Sequence, residues 1–213
     1  MNQEALDPNL MLHAYAHGIF PMAEAATDPE LTWFEPDYRG IFPIDTFYLS
    51  RSTRRFLKKN EIKSTLNNEF DSVLYHCSNR NETWINQTLK DLYKELHSLQ
   101  RCHSIEIWLN GDLIGGIFGL TIGGAFFGES MFSLEQNGSK IAILILRAHL
   151  QNCGFAVFDT QFITEHLKSL GAVEISKANY QSQLAGAIKL PVSISSQPLP
   201  SVHSILQRNT HTS

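Results

Sequence analysis

An α+β fold, a mixed sheet with helices packed against it, is what this chain predicts, and three observations predict it. SIEIWL alternates apolar and polar residues, Asn110-Gly111 is a strong hairpin signal, and LIGGIFGLTI reads as a second strand broken by glycines. Gly123-Gly124 then turns the chain into a third strand, AFFGESMF. Beyond it SKIAILILRAHLQN is apolar almost all round, which predicts a buried helix, and FAVFDTQF follows as a strand. The resulting order, β-β-β-α-β-α, is an α+β layout.

The other elements follow along the chain. Asp7-Pro8 is a helix start, a capping acid with proline at the first helical position, and LMLHAYAH runs from it to a stop at Gly18. His13 and His17 stand four apart on that helix, but no third ligand is near, so they read as surface or packing residues. IFPMAEAATDPE reads as a loop closing a small N-terminal unit over residues 1–36, and IFPIDTFYLS as a strand. Ser52 is a candidate cap for a basic helix. Residues 86–100 place Leu89, Leu92, Tyr93, Leu96 and Leu99 at helical spacing. The buried helix is capped by Ser139 and stopped near Gly154, and TEHLKSLG and SKANYQSQLAGAI are two more helices. A main domain thus spans 37–190, and the serine- and proline-rich segment 191–213 predicts a mobile tail.

Composition narrows the class. The 213 residues are 43% hydrophobic and 18% charged, the profile of a globular protein with a sizeable core. No apolar run nears the roughly 20 residues of a membrane helix, and MNQEALDPNL lacks the basic cluster and apolar core of a signal peptide. Cys77, Cys102 and Cys153 are odd in number and far apart, which predicts reduced thiols in the cytoplasm and no zinc or disulfide framework. The net charge of −4 gives no global sign of nucleic-acid binding. Locally, RSTRRFLKKNEIK sets six basic residues against one acid, Glu61. Arg51, Arg54, Arg55, Lys58 and Lys59 then share one or two helix faces, as a solvated surface or as a phosphate-contacting patch.

Motifs for nucleotide hydrolysis, dinucleotide binding, zinc peptidases and hydrolase elbows are missing from the sequence. What stands out is Glu129, set in GGAFFGESMFS among phenylalanines, methionine and glycine. A buried carboxylate needs a partner, so Glu129 either pairs with a fixed basic or hydrogen-bonding group or awaits a cation brought by substrate. Asp159 and Gln161 stand two apart on a strand and so share one face. These three are candidate catalytic groups. The glycines at 115, 116, 119, 123, 124 and 128 relieve crowding or let a ligand approach the sheet.

HAYAHGIFPMA, WFEPDYRG, SRSTRRFLKK, ETWIN, HSIEIW, GESMFS, NGSK and DTQF…HLKSLGA occur in one order, and over residues 7 to 185 the chain resembles the leucyl/phenylalanyl-tRNA–protein transferases. The resemblance implies a small N-terminal domain joined to an acetyltransferase-like (GNAT) domain. It also implies transfer of Leu or Phe, less readily Met, from aminoacyl-tRNA to proteins beginning with Arg or Lys, the step that marks them for N-end-rule degradation. Such an ester is already activated, so no cofactor, metal or ATP site is expected, nor any membrane partner. The positions matching the family's aminoacyl pocket are Ile117, Phe126, Met131, Ile143, Leu146, Leu150 and Phe158. Phe126 and Trp84 are expected at the tRNA end, with the basic run on its phosphates. Met22 stands where many members have tryptophan, Gln100, Arg101 and Cys102 differ before HSIE, and the N-terminal domain is expected to be short. Two other readings remain: an acetyl-CoA-dependent N-acetyltransferase of the same fold, whose usual [RQ]xxGx[GA] turn is missing, and an adaptor without catalysis.

Overall fold

The computed structural model describes residues 6–46, 49–80 and 82–208. Helix α1 (Pro8–Ala16) starts as its sequence dictates, with Asp7 Oδ1 accepting the amides of Asn9 and Leu10 at 2.7 and 2.9 Å. The chain leaves it through Gly18 at a φ of +81°. The expected loop after it contains structure: β1 (Phe20–Met22) pairs with β2 (Thr32–Phe34), Phe20 opposite Phe34. β3 (Tyr38–Ile41) ends where a strand over 41–50 was expected to begin. Pro43 has no amide to donate to a ladder, and Arg147 captures the carbonyls of Pro43 and Thr46 instead, each at 2.6 Å. Residues 47 and 48 of that expected strand lie outside the described residues.

The basic helix α2 (Arg51–Lys59) is capped by Ser50, not Ser52, because the Ser50 hydroxyl is the one that accepts the Thr53 amide. β4 (Ile62–Leu66) and α3 (Phe70–Ser78) come next, both without a clear signal in the sequence. In α4 (Gln87–Ser98) Leu89, Leu92, Tyr93 and Leu96 are buried, whereas Leu99 lies past the helix end and is exposed. Strands β5 (Cys102–Leu109), β6 (Asp112–Ile122) and β7 (Ala125–Ser133) form the expected meander, with Asn110 and Gly111 both at positive φ in the first turn. Helix α5 (Gly138–Cys153) follows a left-handed Asn137 that provides no side-chain cap; Ser139 is inside the helix, its amide bonded to Ser133 Oγ. Then come β8 (Val157–Gln161), α6 (Glu165–Ser169), β9 (Val173–Ser176), α7 (Lys177–Ala187) and α8 (Val202–Arg208).

Seven strands make one sheet in the order β4-β5-β6-β7-β8-β3-β9, antiparallel throughout except for β7 beside β8. The period of two sends neighbouring side chains to opposite faces. Phe118 and Phe127 join the core under α1, α3, α4 and α7; Ile117 and Phe126 join the one under α2, α5 and α8. Helix α5 is the parallel crossover, and Ile141, Ile145, Leu146 and Leu150 are almost wholly buried, each contributing about 1.5–3 kcal/mol. Its start presses on the sheet at Gly115, where a Cβ would come 2.5 Å from the Gly138 carbonyl carbon. Crowding explains that glycine. The segment expected to be a mobile tail is packed over its described part: Ile194 and Ile205 are buried, and Arg54 Nη1 donates to Leu206 O.

Candidate active site

β7 is the central strand, and its parallel partner β8 stays with it for only three residue pairs, ending at Phe127 opposite Asp159. Beyond that point the strands part. A cavity of about 580 Å³ opens there, at the carboxyl ends of the parallel pair, the usual place for ligands on such sheets. Ile117, Met131, Ile143 and Phe158 give it apolar walls; Glu129, Thr160 and Gln161 stand at its polar side, and His76, Arg80 and His166 also line it. Gly128 lies on its floor, where a Cβ would come 3.1 Å from the Phe158 ring.

A bulge aims Glu129. Gly119 faces Gly128 and Phe118 faces Ser130, so Glu129 has no opposite number on β6. Glu129 is 7% exposed, and its carboxylate is held by neutral donors. Tyr15 Oη donates to Oε1 at 2.8 Å, Tyr93 Oη to Oε2 at 2.6 Å, and Gln161 Nε2 to Oε1 at 3.3 Å. A fixed hydrogen-bonding partner for this acid is therefore present, and Glu129 also lines the cavity. Burial pushes the Glu129 carboxyl up to about 7, against the two tyrosine bonds that favour its charge. Burial, and next the charge of Glu129, raises both tyrosine hydroxyls well above their usual range, so both remain donors.

Asp159 serves a different set of partners. It is fully buried, is not among the cavity-lining residues, and accepts two bonds from Arg39, Nε to Oδ1 at 2.9 Å and Nη2 to Oδ2 at 2.6 Å. Tyr180 Oη donates at 2.7 Å, and the Gln161 amide at 2.8 Å. That last bond fixes Gln161 at a φ of +55°, a left-handed conformation uncommon outside glycine. Arg39 lies between the rings of Phe20 and Tyr180, 4.5 and 4.6 Å from their centroids, and also donates to Gly18 O. Burial works against the Arg39 charge, but Asp159 overcomes it and holds the guanidinium more firmly protonated than usual.

Of the expected pocket positions, Phe126, Leu146 and Leu150 lie in the core on the cavity's side of the sheet and do not line it. Trp84 is half-buried against the opposite core. On α2, Arg51, Arg55, Lys58 and Lys59 are exposed and Arg54 is half-buried. Arg39, Tyr15, Tyr93 and Tyr180 were missed in the sequence. The tyrosines left a trace, since Tyr93 sits in the apolar stripe of its helix, where a hydroxyl needs a partner.

With this geometry the chain matches the family model described as leucyl/phenylalanyl-tRNA protein transferase over residues 41–185, and that family's N-terminal domain over residues 4–37. The chain belongs to this family. It is 48% identical over 208 residues to the leucyl/phenylalanyl-tRNA–protein transferase of Ruegeria sp. (strain TM1040), covering 98% of this chain and 99% of that protein. Its relative of that name in Cereibacter sphaeroides (strain KD131 / KCTC 12085) is 45% identical over 214 residues, covering all of both chains. A solved structure, L-PGS from Bacillus licheniformis, reaches a TM-score of 0.41 at 15% identity, covering 75% of this chain and 54% of that one. Cys77, Cys102 and Cys153 are free, and among the described residues no helix is long and apolar enough to cross a membrane.

Proposed function

We propose that this chain is an aminoacyltransferase that moves Leu or Phe, and less readily Met, from aminoacyl-tRNA to the N-terminus of proteins beginning with Arg or Lys. Family membership supports the reaction. The observation that carries the finer reading is the cavity between β7 and β8, which joins an apolar wall to the Glu129–Gln161 pair. An apolar side chain suits the wall, and the ester it carries would then lie at the polar side. The mixed sheet, whose parallel neighbours part beside the cavity, supports the acetyltransferase-like fold. The small N-terminal domain of this reading shares its core with α3, α4 and α7 and meets the site through Tyr15 and Gly18. A reaction on tRNA and protein N-termini suits the cytoplasm.

Once the ester is bound, the task is to aim an amine and manage protons. Gln161 offers Oε1 as an acceptor for the attacking amine. Asp159 acts by holding Gln161 and not as the base, because its lone pairs are already taken by Arg39, Tyr180 and the Gln161 amide. The test is incubation with labelled Leu-tRNA or Phe-tRNA and peptides that differ only in their first residue. Label on Arg- and Lys-started peptides, with little on Ala- or Asp-started ones, is expected. Equal labelling removes the acceptor claim; acetyl transfer from acetyl-CoA without tRNA-dependent activity replaces the reading.

A further inference from the structure

Thr160 carries a buried hydroxyl with no partner among the described residues. It stands on β8 between Asp159 and Gln161 and lines the cavity, yet its Oγ1 is buried without a hydrogen-bond partner. Among the described residues only Arg147 Nε shares that condition. Buried hydroxyls are normally bonded, because the water they lose is otherwise not replaced. This one is tucked against β3, where a Cβ on Gly40 would come within 2.7 Å of it.

Its position suggests what it is for. Phe158 of the apolar wall lies to one side and Gln161 to the other, so Thr160 marks the junction where an apolar side chain gives way to its ester. Two polar side chains of that lining offer acceptors, the Glu129 carboxylate and Gln161 Oε1, since Nε2 is given to Glu129, while the Arg80 guanidinium is already bonded to Cys77 O, Met131 O and Ser130 Oγ. An ester carbonyl oxygen needs a donor. We propose that the Thr160 hydroxyl, turned about its Cα–Cβ bond, donates to the carbonyl oxygen of the bound aminoacyl ester and holds the negative charge that gathers there during transfer. The inference rests on the aminoacyl-transfer reading above. The turn moves the hydroxyl to another of the three staggered positions on Cβ, and Oγ1 has no bond to break. As the amine lone pair forms the new C–N bond, the carbonyl π electrons move onto the oxygen that Thr160 faces. They return as the ester C–O bond breaks, and the amine proton leaves with the ribose oxygen. Thr160 gives up no proton.

Thr160→Val keeps the shape and removes the hydroxyl; Thr160→Ser keeps the hydroxyl. In single-turnover transfer from Phe-tRNA to an Arg-started peptide, the valine variant should be slower by about 10²-fold, the scale of one lost oxyanion donor, and the serine variant close to wild type. The valine variant should also melt at or above the wild-type temperature, because it buries no unbonded polar atom. A valine variant that transfers within about twofold of wild type overturns the proposal, and so does one that melts lower, since the hydroxyl would then be bonded in the free protein. If the wild type itself transfers nothing, the aminoacyl-transfer reading falls. The proposal is then decided by calorimetry with 3′-(phenylalanylamino)-3′-deoxyadenosine, whose amide carbonyl stands in for the ester: equal affinity of wild type and Thr160→Val overturns it, and weaker binding by the variant upholds the contact.

Discussion

Replacing Arg39 by methionine keeps a long apolar stem and removes the guanidinium, leaving Asp159 fully buried with only Tyr180 and the Gln161 amide among the bonds it now accepts. Breaking one side of a buried pair costs about 3–5 kcal/mol, because the remaining charge has neither water nor partner. That is a large share of the roughly 5–15 kcal/mol that hold a typical domain together. For a chain of this size each kcal/mol lowers the melting temperature by about 2–4 °C, so Arg39→Met should melt about 6–20 °C below wild type. Urea unfolding at pH 7, followed by tryptophan fluorescence, measures the loss directly. Adding Asp159→Asn should recover part of it, since the double variant buries no unpaired charge. A loss below about 1 kcal/mol, or no recovery in the double variant, would refute the claim that Arg39 and Asp159 form the support beneath Gln161.

Two further outcomes follow from the charges. The Glu129 carboxyl keeps its proton to about pH 7 when folded and to the usual 4.5 when unfolded, so the folded state binds more protons between those values. Its contribution to stability is therefore full below about pH 4.5, falls as pH rises to about 7, and is level above. The difference in unfolding free energy between wild type and Glu129→Gln should decline across that window, by at most about 1.4 kcal/mol per pH unit, and a flat difference would contradict the raised value. On α2, Arg51→Ala, Arg55→Ala and Lys58→Ala should each weaken tRNA binding and reduce its salt slope by about 0.7–0.9 units, without changing the preference for Leu over Val. Filter binding across a salt series measures this; three unchanged slopes would leave α2 a solvated helix.

What was legible in the sequence was local. The β5-β6-β7 meander is announced by alternation and by Asn110-Gly111, α5 by its apolar circumference and β8 by FAVFDTQF, so both strands that flank the cavity were readable. Glu129 stood out because a carboxylate among phenylalanines demands an explanation. Arg39 did not, because a single arginine in WFEPDYRG gives no local hint that its partner is 120 residues away. β4 and β9 are edge strands whose exposed sides blur the period of two, and β1 and β2 have three residues each. The segment 191–208 looked like a tail because serine and proline outnumber its apolar residues. Ile194 and Ile205 nevertheless find buried places. Asp159 and Gln161 were expected to share one face through strand alternation, with Asp159 acting on the substrate amine or orienting Gln161. With the left-handed turn at Gln161, Asp159 accepts the Gln161 amide and Gln161 lines the cavity, which favours the orienting role.

That division makes Gln161 the direct test of the site. Gln161→Asn suits the left-handed backbone, since asparagine tolerates it, but shortens the reach of the amide into the cavity. Single-turnover transfer from Phe-tRNA to saturating Arg-started peptide should fall by about 10²-fold or more, while the variant still folds and binds aminoacyl-tRNA. A rate within about twofold of wild type would contradict the assignment of the β7–β8 cavity as the place where the peptide bond forms.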